Sequence, residues 1–206
     1  MTDDFYYRLE QKKREDARRG YALLGGLFIL LAVLGVYAVC QVESIQKEYI
    51  YPYPYREYVE QYAALYDVDS SLVASVILNE SKFQNDVHSH SGAVGLMQLM
   101  PETADWVAKQ VGDKSFSADQ LHDPQMNIRY GTWYLASLEK EFAGNEVLVL
   151  AAYNAGRGNV HEWMQQNNWP ADFHEVSAIP YEETRAYVWN VLKNQKKYQH
   201  LYYGND

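Results

Sequence analysis

Twenty consecutive residues without a charge, YALLGGLFILLAVLGVYAVC from Tyr21 to Cys40, constrain this 206-residue chain more than any other stretch. A helix of that length spans about 30 Å at about 1.5 Å per residue, which is the thickness of a bilayer's hydrocarbon core. The run therefore reads as one transmembrane helix. Before it stand Arg8, Lys12, Lys13, Arg14, Arg18 and Arg19; the twenty residues after it hold only Lys47 and Arg56 against Glu43, Glu48, Glu57 and Glu60. By the positive-inside rule the N-terminus is cytoplasmic and everything beyond Cys40 lies outside a cell membrane crossed once. A cleaved signal peptide fits less well, because the apolar run is long and no small-x-small site follows closely. Cys40 is the only cysteine, so no intramolecular disulfide exists, and the Val before it makes a poor lipid-attachment signal.

After the run comes KEYIYPYPYREY, with Tyr49, Tyr51, Tyr53, Tyr55 and Tyr58 suited to the headgroup layer, while Pro52 and Pro54 keep the chain extended. The expected organisation is a basic cytoplasmic tail (1–20), the membrane span (21–40), a stiff spacer (41–54) and one domain (55–206), long enough for a core of its own. A net charge of −9 argues against nucleic acid, which calls for clustered Lys and Arg, and the basic tail is accounted for as a topology signal.

Helical patterns dominate the domain, and the expected fold class is mainly α. REYVEQYAALYDV has helical apolar spacing, and Asp69 or Ser70 can cap a helix ending near Glu80. Tyr130, Tyr134, Leu138 and Phe142 recur at i+4, EVLVLAAYNAG is a short apolar helix stopped by Gly156, and Pro180 reads as the N1 proline of a last helix. Residues 82–94 leave room for a short hairpin.

Two acids sit where apolar residues belong. Val73, Val76, Ile77 and Glu80 share one helix face, so the Glu80 carboxyl lies on the stripe that should meet the core; Glu183 likewise shares a face with Tyr187 and Val191. A carboxylate drawn out of water either finds strong donors or keeps its proton to high pH, and both outcomes suit acid–base chemistry. The plain structural alternatives are a Glu80 that swings to solvent and a Glu183 that complements a helix dipole. The six histidines show no metal-ligand spacing, and neither a metal nor another cofactor is expected.

NESKF, SGAVGLMQLMPETA, AAYNAGRGNV and IPYEETRAYVWNVL, in that order, resemble the catalytic domain of the soluble-lytic-transglycosylase family, related to goose-type lysozyme, over about residues 55–203. The resemblance implies a lysozyme-like helical fold and cleavage of the β-1,4 bond between N-acetylmuramic acid and N-acetylglucosamine, with peptidoglycan glycan strands as the partner. It makes Glu80 the catalytic acid and then base of a reaction that closes a 1,6-anhydro ring without water. It further implies substrate contacts at Ser89, with Ser91 as a rival register, and at Gln98, Met100, Tyr153, Asn154 and Glu183. The chain departs from the family pattern in KFQNDV, which lacks a Pro, and at Arg157, where Pro is common.

Two other readings compete with this one. A goose-lysozyme-like hydrolase would need a second carboxylate, with Asp86 the nearest in sequence. A non-catalytic wall-binding scaffold would have little reason to keep Glu80 on an apolar face.

Overall fold

The structure is a computed structural model describing residues 2–204, with side chains described for 12–14 and 18–204. The chain divides between Ile50 and Tyr51 into two units. The first is built on α1 (Thr2–Cys40), followed by short helical turns through Ile50. Leu23, Phe28, Ile29 and Val36 are all exposed on it, and α1 is long and apolar enough to cross a membrane by length and composition.

The second unit is all-helical: α2 (Arg56–Tyr66), α3 (Ser70–Glu80), α4 (Pro101–Val111), α5 (Pro124–Glu141), α6 (Glu146–Ala155), α7 (Arg157–Asn167) and α8 (Glu182–Tyr198). Their boundaries follow from the sequence. Asp69 caps α3 by accepting from the Ser71 N–H at 2.7 Å, Asp123 caps α5 through Met126, and Asn145 caps α6 through Leu148. Gly156 turns the chain between α6 and α7 at φ 90°, a backbone conformation that favours glycine. The last helix begins at Glu182 with Tyr181 as its extended N-cap, so Pro180 stands ahead of the helix and is not its N1 residue. The Ile179 and Pro180 carbonyls there accept from the Arg185 guanidinium at 2.6 and 3.0 Å, which fixes the entry.

α8 packs chiefly on α3 and α6, and α2 on α5. Val73, Val76, Ile77, Leu148, Val188 and Val191 are fully covered in the core between them. A smaller cluster joins Leu99, Ala104, Val107, Leu121 and Tyr130 under the loop between α3 and α4. That loop makes no strand: only isolated bridges link His88 with Val94 and Val94 with Leu99, in place of the expected hairpin.

Tyr51 and Tyr53, read in the sequence as spacer, pack into this unit. Tyr198 donates its hydroxyl to the Pro52 carbonyl at 2.8 Å, Tyr202 donates to the Tyr51 carbonyl at 2.7 Å, and the Tyr53 ring lies 5.4 and 5.2 Å from those two tyrosine rings. Prolines leave these residues few N–H groups to satisfy, and the core tyrosines take up their carbonyls. Tyr49 remains exposed.

Candidate active site

Glu80 is the last residue of α3 and half-buried, on the helix face whose Val73, Val76 and Ile77 enter the core. Burial raises its pKa from 4.5 to about 7, with a smaller push in the same direction from the Glu183 charge. The Tyr187 hydroxyl pulls the other way. That hydroxyl is buried without a partner in normal hydrogen-bond geometry, yet near enough to favour the carboxylate, so a small movement would complete the bond. Tyr153 also feels the Glu80 charge, and burial drives both tyrosine hydroxyls well above their ordinary range. They remain neutral donors. The arrangement holds a carboxylic acid near the midpoint of its titration at neutral pH, with a hydroxyl ready to receive the charged form.

A rigid loop forms the neighbouring wall. The Tyr153 hydroxyl donates to the Met97 carbonyl at 2.8 Å, and the Met97 N–H donates to Asn127 Oδ1 at 2.8 Å. Buried Asn127 then donates to the carbonyls of Val94 and Leu121, each at 2.9 Å. Gly95 sits at φ 78° against this amide, and a Cβ there would strike the Asn127 side chain and the Leu121 carbonyl. Gly131 on α5 similarly receives the Met97 side chain, where a Cβ would intrude.

Gln98, Met100, Thr103, Tyr134, Tyr153 and Asn154 line a cavity of about 260 Å³. Both amide hydrogens of Gln98 are committed, to Val87 O at 3.0 Å and Gly95 O at 2.9 Å, so Gln98 offers its Oε1 as an acceptor. Asn154 is the converse. Its Oδ1 accepts from buried Thr184 at 2.8 Å, which leaves its amide N–H groups to donate. A second, open cavity shares Asn154 and Ala155 and is lined by Ser91, Glu183 and Thr184. Glu80 lines neither cavity; Tyr153, which lines the first, feels the Glu80 charge, and Glu183, which lines the second, pushes on Glu80 with its own. A larger cleft of about 620 Å³, lined by Tyr66, Asp67, Trp133 and Glu139, holds none of the groups that act on Glu80.

The model of the transglycosylase SLT domain matches residues 57–176 of the chain. The chain belongs to the transglycosylase SLT domain family. It is 36% identical over 153 residues to the soluble lytic murein transglycosylase of Escherichia coli strain K12, covering 73% of this chain and 24% of that protein. It is 31% identical over 168 residues to membrane-bound lytic murein transglycosylase C of Edwardsiella ictaluri, covering 71% and 47%. The chain thus spans about a quarter of the length of the soluble relatives and about half of the membrane-bound one. An inactive glutamate-to-glutamine mutant of the lytic transglycosylase Slt from Pseudomonas aeruginosa aligns with TM-score 0.69 at 34% identity over 78% of this chain and 27% of that one. The 70-kDa soluble lytic transglycosylase in complex with bulgecin A aligns with TM-score 0.70 at 34% identity over 79% of this chain and 26% of that one. The mainly α, lysozyme-like fold is the one these solved SLT proteins share.

Within this SLT domain Gln98, Met100, Tyr153 and Asn154 line the first cavity and Asn154 and Glu183 the second, while Glu80 on α3 is coupled to them through the charges it shares with Tyr153 and Glu183. Ser89 does not line either cavity; its hydroxyl accepts from the Ala93 N–H at 2.9 Å and closes the loop, while Ser91 takes the place beside Glu183. Asp86 is exposed in that loop. The sequence alone does not mark Asn127 or Thr184 as part of the site, and gives Tyr187 no role of its own. Asn127 carried the same signal as Glu80, a polar residue on a buried stripe, and Tyr187 was noticed only as a neighbour of Glu183. Among the described residues no group of three or more His, Cys, Asp or Glu is placed to hold a metal ion.

Proposed function

We propose that the unit from Tyr51 onward is a peptidoglycan lytic transglycosylase, held at the outer face of a cell membrane by Tyr21–Cys40 with residues 1–20 in the cytoplasm. The observation that carries this reading is the half-buried Glu80 carboxyl at the end of α3, whose pKa desolvation lifts to about 7. A group poised there can give a proton to the glycosidic oxygen and take one back, which is what a single-carboxylate mechanism needs. The muramyl N-acetyl group assists at the anomeric carbon, and the sugar's own 6-hydroxyl then closes the 1,6-anhydro ring as Glu80 removes its proton.

The pair of amides supports the substrate class. An N-acetyl group offers one N–H and one carbonyl, and Gln98 Oε1 with the Asn154 N–H groups presents the complementary acceptor and donor in one small cavity. Met100 gives an adaptable apolar surface for the sugar ring, and Tyr153 holds the wall against which the ring lies. Glu183, in the open neighbouring cavity, serves substrate binding and tunes Glu80 through its charge. The names of the relatives and the glutamate-to-glutamine change in the inactive Pseudomonas aeruginosa protein point the same way.

Glu80→Gln keeps the side chain's shape but cannot carry a transferable proton. Release of fragments from purified peptidoglycan should fall by at least roughly 10²–10⁴-fold, with the circular dichroism spectrum and pelleting on peptidoglycan unchanged. Near wild-type cutting by this variant would remove Glu80 from the mechanism.

A further inference from the structure

The last helix changes charge along its length. Glu182 and Glu183 open α8, whereas Lys193, Lys196 and Lys197 occupy its final two turns, in a chain whose net charge is −9. Trp189, one turn before the lysines, is 65% exposed. Trp189, Lys193, Lys196 and Lys197 fall at i, i+4, i+7 and i+8, one stripe about a third of a turn from Glu183. With Val147, Val176, Leu192, His174 and His200 they line a cleft of about 560 Å³, and on its other side Trp189 borders Glu175 and Glu182. Neither the Glu80 site nor the packing of the core uses this stripe.

Position gives the cleft a partner. Tyr198 and Tyr202, at the basic end of α8, hold the carbonyls of Pro52 and Tyr51, the residues by which the chain enters the unit. Residues 41–50 alone separate Tyr51 from the end of the apolar run at Cys40, a reach of no more than about 40 Å even when fully extended. That reach bounds how far the entry at Tyr51, and the basic end of α8 bonded to it, can stand from the surface the run enters. An exposed indole beside ammonium groups suits the headgroup layer of an anionic bilayer, with the ring at the interface and the lysines on phosphate. We propose that the C-terminal half of α8 is a docking face for anionic phospholipid headgroups, seated around Trp189, which lays the unit on the membrane and leaves the Glu183 and Tyr187 side of the helix free. The proposal rests on the reading of Tyr21–Cys40 as a membrane anchor.

The test uses the full chain in vesicles of phosphatidylcholine alone or mixed with phosphatidylglycerol, each doped with a headgroup spin-labelled lipid that quenches tryptophan. The difference between the wild-type chain and Trp189→Phe isolates Trp189. Its fluorescence should be quenched in the anionic vesicles and not in the zwitterionic ones. Raising salt from 0.1 to 1 M should release it, since the screening length falls from about 10 to about 3 Å. Lys193→Glu/Lys196→Glu/Lys197→Glu should weaken docking on the order of 10²-fold while cutting of soluble glycan fragments stays at the wild-type rate. Equal quenching in both lipids, or quenching indifferent to salt, overturns the proposal without needing any variant. Carbonate extraction separates the two readings: a chain that stays in the vesicles with Trp189 unquenched loses the docking face alone, whereas a chain stripped from them loses the anchor and the docking face with it.

Discussion

A carboxyl that titrates at about 7 makes activity a readout of its neighbours. Glu80 must hold its proton to act as the acid, so the rate should fall as pH rises through about 7. Tyr187 favours the carboxylate and Glu183 disfavours it, which gives two substitutions with opposite signs. Tyr187→Phe removes a donor to the charged form, and the alkaline limb of the pH–rate profile should move to higher pH. Glu183→Gln removes a repelling charge, and the limb should move to lower pH. Steady-state turnover of peptidoglycan from pH 5 to 9 measures both, and shifts in the same direction would separate the pH dependence from Glu80.

At the scale of elements, the loop before α4 pairs its own backbone, Val94 with Leu99 and Gly95 with Val87, and is pinned to α5 by one side chain. Asn127 satisfies the Met97 N–H and the carbonyls of Val94 and Leu121 from within α5. Asn127→Ala takes the partner from the Met97 N–H and the side-chain donors from the Leu121 and Val94 carbonyls, the last of which keeps the Leu99 N–H, and should destabilise the unit by roughly 2–5 kcal/mol. It should also raise KM more than the Glu80→Gln change does, because Gln98 and Met100 ride on that loop; chemical denaturation and kinetics report the two effects. Much of the helical layout was legible in the sequence because caps and periodicity are local: Asp69, Gly156 and the Val73–Ile77 stripe sit where they were expected. What escaped was long-range. No spacing in the sequence reveals that Asn127 meets a loop thirty residues earlier, that Ser89 spends its hydroxyl on Ala93, or that Tyr198 and Tyr202 draw Tyr51 and Pro52 out of the spacer. Proline is favoured at N1, so Pro180 reads as the helix start, but the helix begins two residues later at Glu182, and the Pro180 and Ile179 carbonyls accept from the Arg185 guanidinium ahead of it.

For the whole molecule, two acids hold protons that the unfolded chain releases. Burial lifts Glu80 to about 7, and Glu139 also reaches about 7, by burial and then by the charges of Glu146, Asp67 and Asp69. Both pKa values are raised on folding, so the stability linked to them is full below about pH 4.5 and is lost as pH climbs through 7. Differential scanning calorimetry should show Tm falling on the order of 10 °C between pH 5 and pH 8, with the slope reduced in Glu80→Gln and reduced again when Glu139→Gln is added. Function at the same scale is decided by the product. Digestion of purified peptidoglycan in ¹⁸O-labelled water, followed by mass spectrometry of the released muropeptides, asks whether water or the sugar's own 6-hydroxyl accepts the muramyl group. Unlabelled fragments ending in 1,6-anhydromuramic acid, one water lighter than the reducing sugar, are the expected result; fragments with labelled, reducing muramyl ends would contradict it and make the enzyme a hydrolase.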